Sequence, residues 1–145
     1  MKVLQLTNKN VSAVAANGYM SLGISPVKYP ADNSNCQPVF TVTSSNADTL
    51  VVHRGRAYRL DYNGSLMASA AGTVTLAVLL NGTSLYTVSA SATAASDLVN
   101  IAIPLDNYIP CNCNSLPNSV PANIQIQNTG VALTGGTSNL IITKY

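Results

Sequence analysis

Glutamate and tryptophan are missing from this 145-residue chain, and charge of either sign is scarce. Five aspartates are its only acidic side chains, seven Lys and Arg its permanent cations, and charged residues make up 8 % of the total against roughly 25 % in an ordinary soluble domain. A net charge of +2 excludes nucleic-acid binding by counterion release, which needs a clustered cationic surface. Acid–base chemistry is poorly supplied as well. A glycosidase places two carboxylates across one bond, whereas Asp48, Asp61, Asp97 and Asp106 are scattered and suit turn or cap hydrogen bonding. The single His53 has no orienting group at a recognisable spacing from a nucleophile. The chain does not read as an enzyme.

Long apolar runs are absent too. None approaches the roughly 18–20 residues of a membrane-spanning helix, and Val3-Leu4-Gln5-Leu6 is too short for the apolar centre of a signal peptide. No membrane partner is expected. The three cysteines, Cys36, Cys111 and Cys113, form no even-numbered disulfide framework. A C-x-C pair plus one distant thiol also falls short of the four ligands of a structural zinc site. Small reduced side chains in a loop are preferred to a metal centre, and no cofactor is expected.

What is present is apolar and β-prone. Hydrophobic residues reach 47 % and mean hydropathy is +0.23, which excludes a disordered chain. Sustained helical periodicity is missing; the alanine-rich stretch 90–99 is interrupted by Ser and Thr and has strand-like neighbours. Strand signals are dense instead. Expected strands cover Val11–Ala16, Tyr19–Ile24, Val39–Thr43, Thr49–Val52, Ala57–Ala68, Thr73–Leu80, Ser84–Ser91, Asp97–Ile103, Ala122–Gln127 and Asn139–Lys144, with Pro104 ending one of them and 133–136 irregular. In the strand at 57–68, Tyr58, Leu60 and Tyr62 alternate with Arg59, Asp61 and Asn63. Asn81-Gly82 between two β-rich runs is a hairpin signal, because both residues accept positive φ. Its N-x-T pattern is better explained by that turn than by glycosylation. Short strands with turns every 8–12 residues predict one all-β antiparallel two-sheet sandwich over residues 1–145.

Two stretches, Leu76–Leu80 and Leu140–Ile142, are apolar at every position. An antiparallel sheet normally keeps one face wet, so both faces need a cover. With so little charge, a neighbouring subunit is expected to supply part of it.

Several segments resemble a known family. Gly55-Arg56-Ala57-Tyr58-Arg59-Leu60-Asp61-Tyr62 is similar to a strand of C1q and tumour necrosis factor domains. Ala71–Thr83, with Leu79-Leu80-Asn81-Gly82, resembles the next hairpin of that family. Cys111-Asn112-Cys113 followed by Asn128-Thr129-Gly130 and the closing strand is similar to a phage and Firmicute subset. The resemblance covers most of residues 48–145 and implies a C1q/TNF-like jelly roll assembled as a homotrimer, of the kind found in phage head-fibre or capsid decoration proteins and in exosporium glycoprotein heads.

The expectation that follows is a structural virion protein on the capsid surface of a bacteriophage, with the major capsid protein as partner. The chain starts with Met and has no shaft, which favours a knob seated on a shell. Trimer contacts are expected at Tyr58, Leu60, Tyr62, Leu140, Ile142 and Tyr145, so that Leu60→Asp would break assembly. An attachment arm is expected over residues 1–10, with Met1, Lys2, Val3, Leu4, Gln5 and Leu6 against the shell. The alternative is a receptor- or glycan-binding tip of a fibre or baseplate, holding a host surface glycan in loops such as Tyr29–Cys36 or Asn112–Asn118.

Overall fold

A computed structural model describes residues 2–23, 40–42, 48–52, 57–108 and 122–144. Nine strands carry the chain: β1 Lys2–Asn8, β2 Phe40–Val42, β3 Leu50–Val52, β4 Ala57–Ala68, β5 Gly72–Leu80, β6 Thr83–Ala92, β7 Leu98–Tyr108, β8 Ala122–Asn128 and β9 Leu133–Lys144. They form a four-stranded sheet in the order β1-β9-β4-β7 and a five-stranded sheet in the order β2-β3-β8-β5-β6. All named pairings are antiparallel. Residues 90–99, rich in alanine, contain no helix among the described residues: they finish β6, turn and start β7.

Alternation decides which side chains enter the sandwich. Tyr58, Leu60, Tyr62 and Leu66 of β4 and Leu140 and Ile142 of β9 point inward. They join Leu50, Leu76, Val78, Ile124 and Ile126 of the five-stranded sheet in one core cluster. Fully burying an aliphatic side chain of this size contributes about 1.5–3 kcal/mol.

This placement corrects the expected trimer contacts. Tyr58, Leu60, Tyr62, Leu140 and Ile142 are each at most 2 % exposed within the single chain, so none can face a neighbouring subunit. The alternation was read correctly, and it was assigned to the wrong side. Tyr145 lies outside the described residues.

The strands that are apolar on both faces are also explained without a neighbour. Ala77 and Leu79, on the outer side of β5, are 4 % and 6 % exposed in the isolated chain. Only Ile141 of β9 is left half-buried on an outer face. A subunit is therefore not required to cover them.

The attachment arm is corrected as well. Residues 2–8 are the edge strand β1, in register with β9 from Lys2 opposite Lys144 to Asn8 opposite Ser138. Leu6 is buried and Leu4 packs against the core, leaving Val3 and Gln5 on the outer side. Met1 lies outside the described residues.

Three local features depart from the sequence reading. Residues 11–23 make only isolated bridges, at Val14 with Leu133 and Tyr19 with Gln127. This segment closes one flank by joining both sheets, through Val11 N to Gly136 O at 2.9 Å and Met20 N to Ile126 O at 2.8 Å. Pro104 does not end β7; it pairs opposite Asp61, and its missing N–H is tolerated because β7 is an edge strand. Residues 133–136 belong to β9, with a register shift at Met67/Ala68. There Gly136 (φ +136°) passes so close to β4 that a Cβ would meet the Ser65 carbonyl oxygen at 2.2 Å.

The hairpin turn is as expected. Asn81 (φ 49°) and Gly82 (φ 84°) are both left-handed, the pattern of a type I′ turn. The Asn81 side-chain carbonyl also accepts the Asn123 N–H at 2.8 Å, tying the hairpin to β8. The Asn128-Thr129-Gly130 motif is an Asx turn: Asn128 Oδ1 accepts the Gly130 N–H at 3.1 Å, and Asn128 Nδ2 donates to the Val131 carbonyl at 2.8 Å.

Leu60→Ala is expected to cost about 2–5 kcal/mol in urea denaturation, and Leu60→Asp to leave no cooperatively folded protein. A folded Leu60→Asp variant showing a native β circular-dichroism spectrum would contradict the core assignment.

Candidate functional site

The outer face of the four-stranded sheet carries the clearest chemical organisation. Cross-strand register sorts it into rows. The first row runs Val3, Thr143, Arg59, Asp106; the second Gln5, Ile141, Asp61, Pro104. The third is Thr7, Asn139, Asn63, Ala102, and the fourth is Thr137, Ser65, Asn100. Met67 and Leu98 lie beyond them. Charge thus occupies one end, neutral amides and hydroxyls the middle, and apolar side chains the other end, where Leu98 is 62 % exposed.

At the charged end Arg59 serves two acids. Its Nε donates to Asp61 Oδ2 at 3.0 Å and its Nη1 to Asp106 Oδ2 at 3.2 Å. All three side chains are substantially exposed, so solvent screening keeps these pairs within about 0–1 kcal/mol each.

In the middle, short side chains next to long ones open a shallow depression of about 510 Å³. Asn63, Ser65, Asn100, Thr137 and Asn139 rim it, with Thr7, Asn8 and Lys9 on the β1 side, and Gly64, Ile101, Ala102 and Ser138 as the floor. Its amides are partly oriented. Asn139 Oδ1 accepts Gln5 Nε2 at 3.0 Å and Thr7 Oγ1 at 3.2 Å, both from β1. That leaves the Asn139 NH₂ group, a double donor, without a hydrogen-bond partner among the described residues.

Gly64 is among the lining residues. On the inner side a Cβ there would lie 3.2 Å from the Tyr62 hydroxyl. Burial pushes that phenol up to about 12, and the neighbouring Ser138 hydroxyl pulls weakly the other way. The two oxygens make no hydrogen bond of good geometry with each other or with any other group.

The sequence-predicted elements of the site fare unevenly. Cys36, Cys111 and Cys113, His53, and the glycan loops at 29–36 and 112–118 all lie outside the described residues. No group of three metal-ligating side chains occurs among the described residues, and no described helix is long and apolar enough to cross a membrane. Asn100, Thr137 and Asn139 carried no signal of their own, because only strand register brings them beside Asn63. Asp97 has the expected turn role: its carboxylate accepts the N–H groups of Thr93 and Ala94, each at 3.0 Å, and the Thr93 hydroxyl. Those bonds, the Thr93 hydroxyl first, hold it below the usual carboxylate range.

The fold is matched in known structures. Eiger TNF from S. frugiperda aligns at a TM-score of 0.67 with 11 % identity, covering 99 % of this chain and 92 % of that one. The fold is a C1q/TNF-like jelly roll. The globular domain of zebrafish complement 1qA protein shares this jelly roll at a TM-score of 0.57 and 7 % identity, covering 99 % of this chain and 97 % of its own. So does the PRD1 vertex protein P5, at 0.52 and 14 %, covering 98 % and 95 %. No family model and no curated protein sequence matches the chain. The C1q/TNF-like architecture expected from the sequence is therefore present in the described residues.

The raised Tyr62 sets an alkaline limit on this jelly roll. Its hydroxyl ionises near 10 in the unfolded chain and about 12 in the folded one, so the folded state holds the proton longer. The stabilising contribution is complete below pH 10 and is lost as pH rises towards 12. Tyr62→Phe is expected to stay within about 1 kcal/mol of the parent at pH 7 and to recover about 2 kcal/mol of the alkaline loss at pH 11.5. Urea denaturation at pH 7 and pH 11.5 checks both.

Proposed function

We propose that this protein is a structural virion component, a homotrimeric decoration or head-fibre protein on a phage capsid. The observation that carries the reading is the likeness to the PRD1 vertex protein P5 across nearly the full length of both chains. The low charge supports it: a chain with 8 % charged residues suits a molecule partly covered by partners. The role is mechanical and non-catalytic. Its strength comes from repeating one contact around a threefold axis.

With the inward residues of β4 and β9 committed to the core, the trimer contact belongs elsewhere. β6 is the edge of the five-stranded sheet, and its ten residues include no Lys, Arg, Asp or Pro. Natural edge strands are normally guarded by such residues. Leu85 and Tyr86 stand exposed there, each at 38 %. This unguarded edge is the surface we assign to the neighbouring subunit, burying about 800 Å² per partner if the interface is of standard size. The shell contact first expected of the whole 1–10 segment reduces to the outer side of β1, at Val3 and Gln5.

Light scattering at micromolar concentration is expected to give three times the chain mass of 15.1 kDa, and a stable monomer would contradict the trimer. Leu85→Asp combined with Tyr86→Asp is expected to weaken association by about 2–4 kcal/mol while the circular-dichroism spectrum stays native. Negative-stain microscopy of particles carrying a labelled antibody is expected to show signal across the capsid. Signal confined to the tail would favour the receptor-binding tip, and unlabelled particles would reject a virion role.

A further inference from the structure

We propose that Asn81 is a site of spontaneous deamidation, reacting through a succinimide closed by Gly82, and that the fold selects it over two other Asn-Gly pairs of the chain. The inference does not depend on the virion reading.

The three pairs are Asn17-Gly18, Asn63-Gly64 and Asn81-Gly82. They are chemically alike, since glycine has no side chain to shield its main-chain nitrogen. The reaction begins when that nitrogen gives up its proton to solvent and attacks the Asn Cγ. The new N–Cγ bond closes a five-membered ring, the bond from Cγ to the side-chain nitrogen breaks, and that nitrogen takes a proton and leaves as ammonia. Water then opens the ring. Opening at Cγ gives aspartate; opening at the main-chain carbonyl gives isoaspartate. One water enters, one ammonia leaves, and nothing is oxidised or reduced.

Ring closure swings the glycine nitrogen round to the side chain before it, so its cost depends on how firmly the main chain is held. Asn17-Gly18 is pinned. The Gly18 N–H donates to the Ala15 carbonyl at 2.9 Å, the Asn17 N–H to the Asn128 carbonyl at 2.6 Å, and the Gly18 carbonyl accepts the Asn128 N–H at 2.8 Å. Gln127 Nε2 adds a bond to the Asn17 carbonyl at 3.0 Å. Asn63-Gly64 lies inside β4, with Gly64 opposite Ile101 of β7 and Ser138 of β9, so the same rotation disrupts two ladders. Asn81-Gly82 is held least. Both residues are exposed, a Cβ on Gly82 would meet nothing within 4 Å, and the Gly82 N–H makes no hydrogen bond among the described residues. A turn of this kind opens at its own tip without disturbing the strands.

The Asn81 side chain is also prepared for attack. Its Oδ1 accepts the Asn123 N–H at 2.8 Å, and the Asn81 N–H donates to the Asn123 carbonyl at 2.9 Å. The bond to Oδ1 draws electron density from Cγ and is placed to stabilise the oxyanion that forms there. Isoaspartate routes the main chain through Cγ, so the oxygen that ties the hairpin to β8 becomes a main-chain oxygen. Either product adds a negative charge at the hairpin tip.

The test incubates the intact protein in mildly alkaline buffer, folded in one sample and unfolded by urea in another. Peptide mapping by mass spectrometry that separates aspartate from isoaspartate follows all three sites. In the folded protein Asn81 is expected to convert about tenfold or more faster than Asn17 or Asn63, because local opening at a turn is far easier than within a paired strand. In urea the three rates are expected to converge. Both products are expected at Asn81. Gly82→Asn, which tolerates positive φ but shields the nitrogen, is expected to suppress the conversion while the circular-dichroism spectrum stays native. Conversion of Asn17 or Asn63 as fast as Asn81 in the folded protein would overturn the selection by the fold, and so would a gap between the sites that persists in urea. Aspartate without isoaspartate, or an unchanged rate in folded Gly82→Asn, would overturn the succinimide route. An Asn81 that stays intact in the folded protein while the urea sample reacts would overturn the proposal, the tie to Asn123 then acting as a guard.

Discussion

Strand β4 is the element on which the rest of the molecule depends. It lies inside the four-stranded sheet, paired with β7 along one side and β9 along the other over nearly its whole length. Its even-numbered residues fill the space between the sheets, and its odd-numbered residues lay out the solvent face. Because the side-chain period of a strand is two, a slip of one residue would carry Arg59 and Asp61 into the core and expel Leu60 and Tyr62. That penalty locks the register on both sides. It therefore also fixes where Asn63, Asn100 and Asn139 meet.

The core leaves little of its apolar content unused. Both faces of β5 are covered within one chain, and the 11–23 segment closes the flank by bonding to β9 and β8. The low charge of the sequence is thus not simply the mark of an oily surface awaiting a partner. It reflects a neutral surface of Asn, Ser, Thr and Gln, which is wetted by hydrogen bonding. Among the described residues, what remains for association is narrower: an unguarded edge at β6 with Leu85 and Tyr86, and the isolated Tyr19 and Leu98.

The same neutrality suits the proposed role. A mechanical role in a particle calls for a rigid fold and repeated contacts, with no need for perturbed acids or nucleophiles. The C1q/TNF-like jelly roll is compatible with it, since such a scaffold specifies where side chains stand and leaves their chemistry free.

The sequence by itself determined the strand class, the extent of β4, the Asn81-Gly82 turn, the two-sheet antiparallel architecture and the C1q/TNF-like resemblance. These are local matters: alternation, β-branched and aromatic content, and backbone freedom at Asn and Gly. It also showed that Tyr58, Leu60 and Tyr62 share a face. It did not show which face, because alternation is symmetric until the opposing sheet is in place. Only the tertiary structure decided that this face is the core, that Lys2–Asn8 is a paired edge strand, and that Pro104 can sit within a strand whose outer edge is free. Only register across β1, β9, β4 and β7, contacts between residues as far apart as Thr7 and Asn139, assembled the polar depression, and no spacing along the chain encodes it.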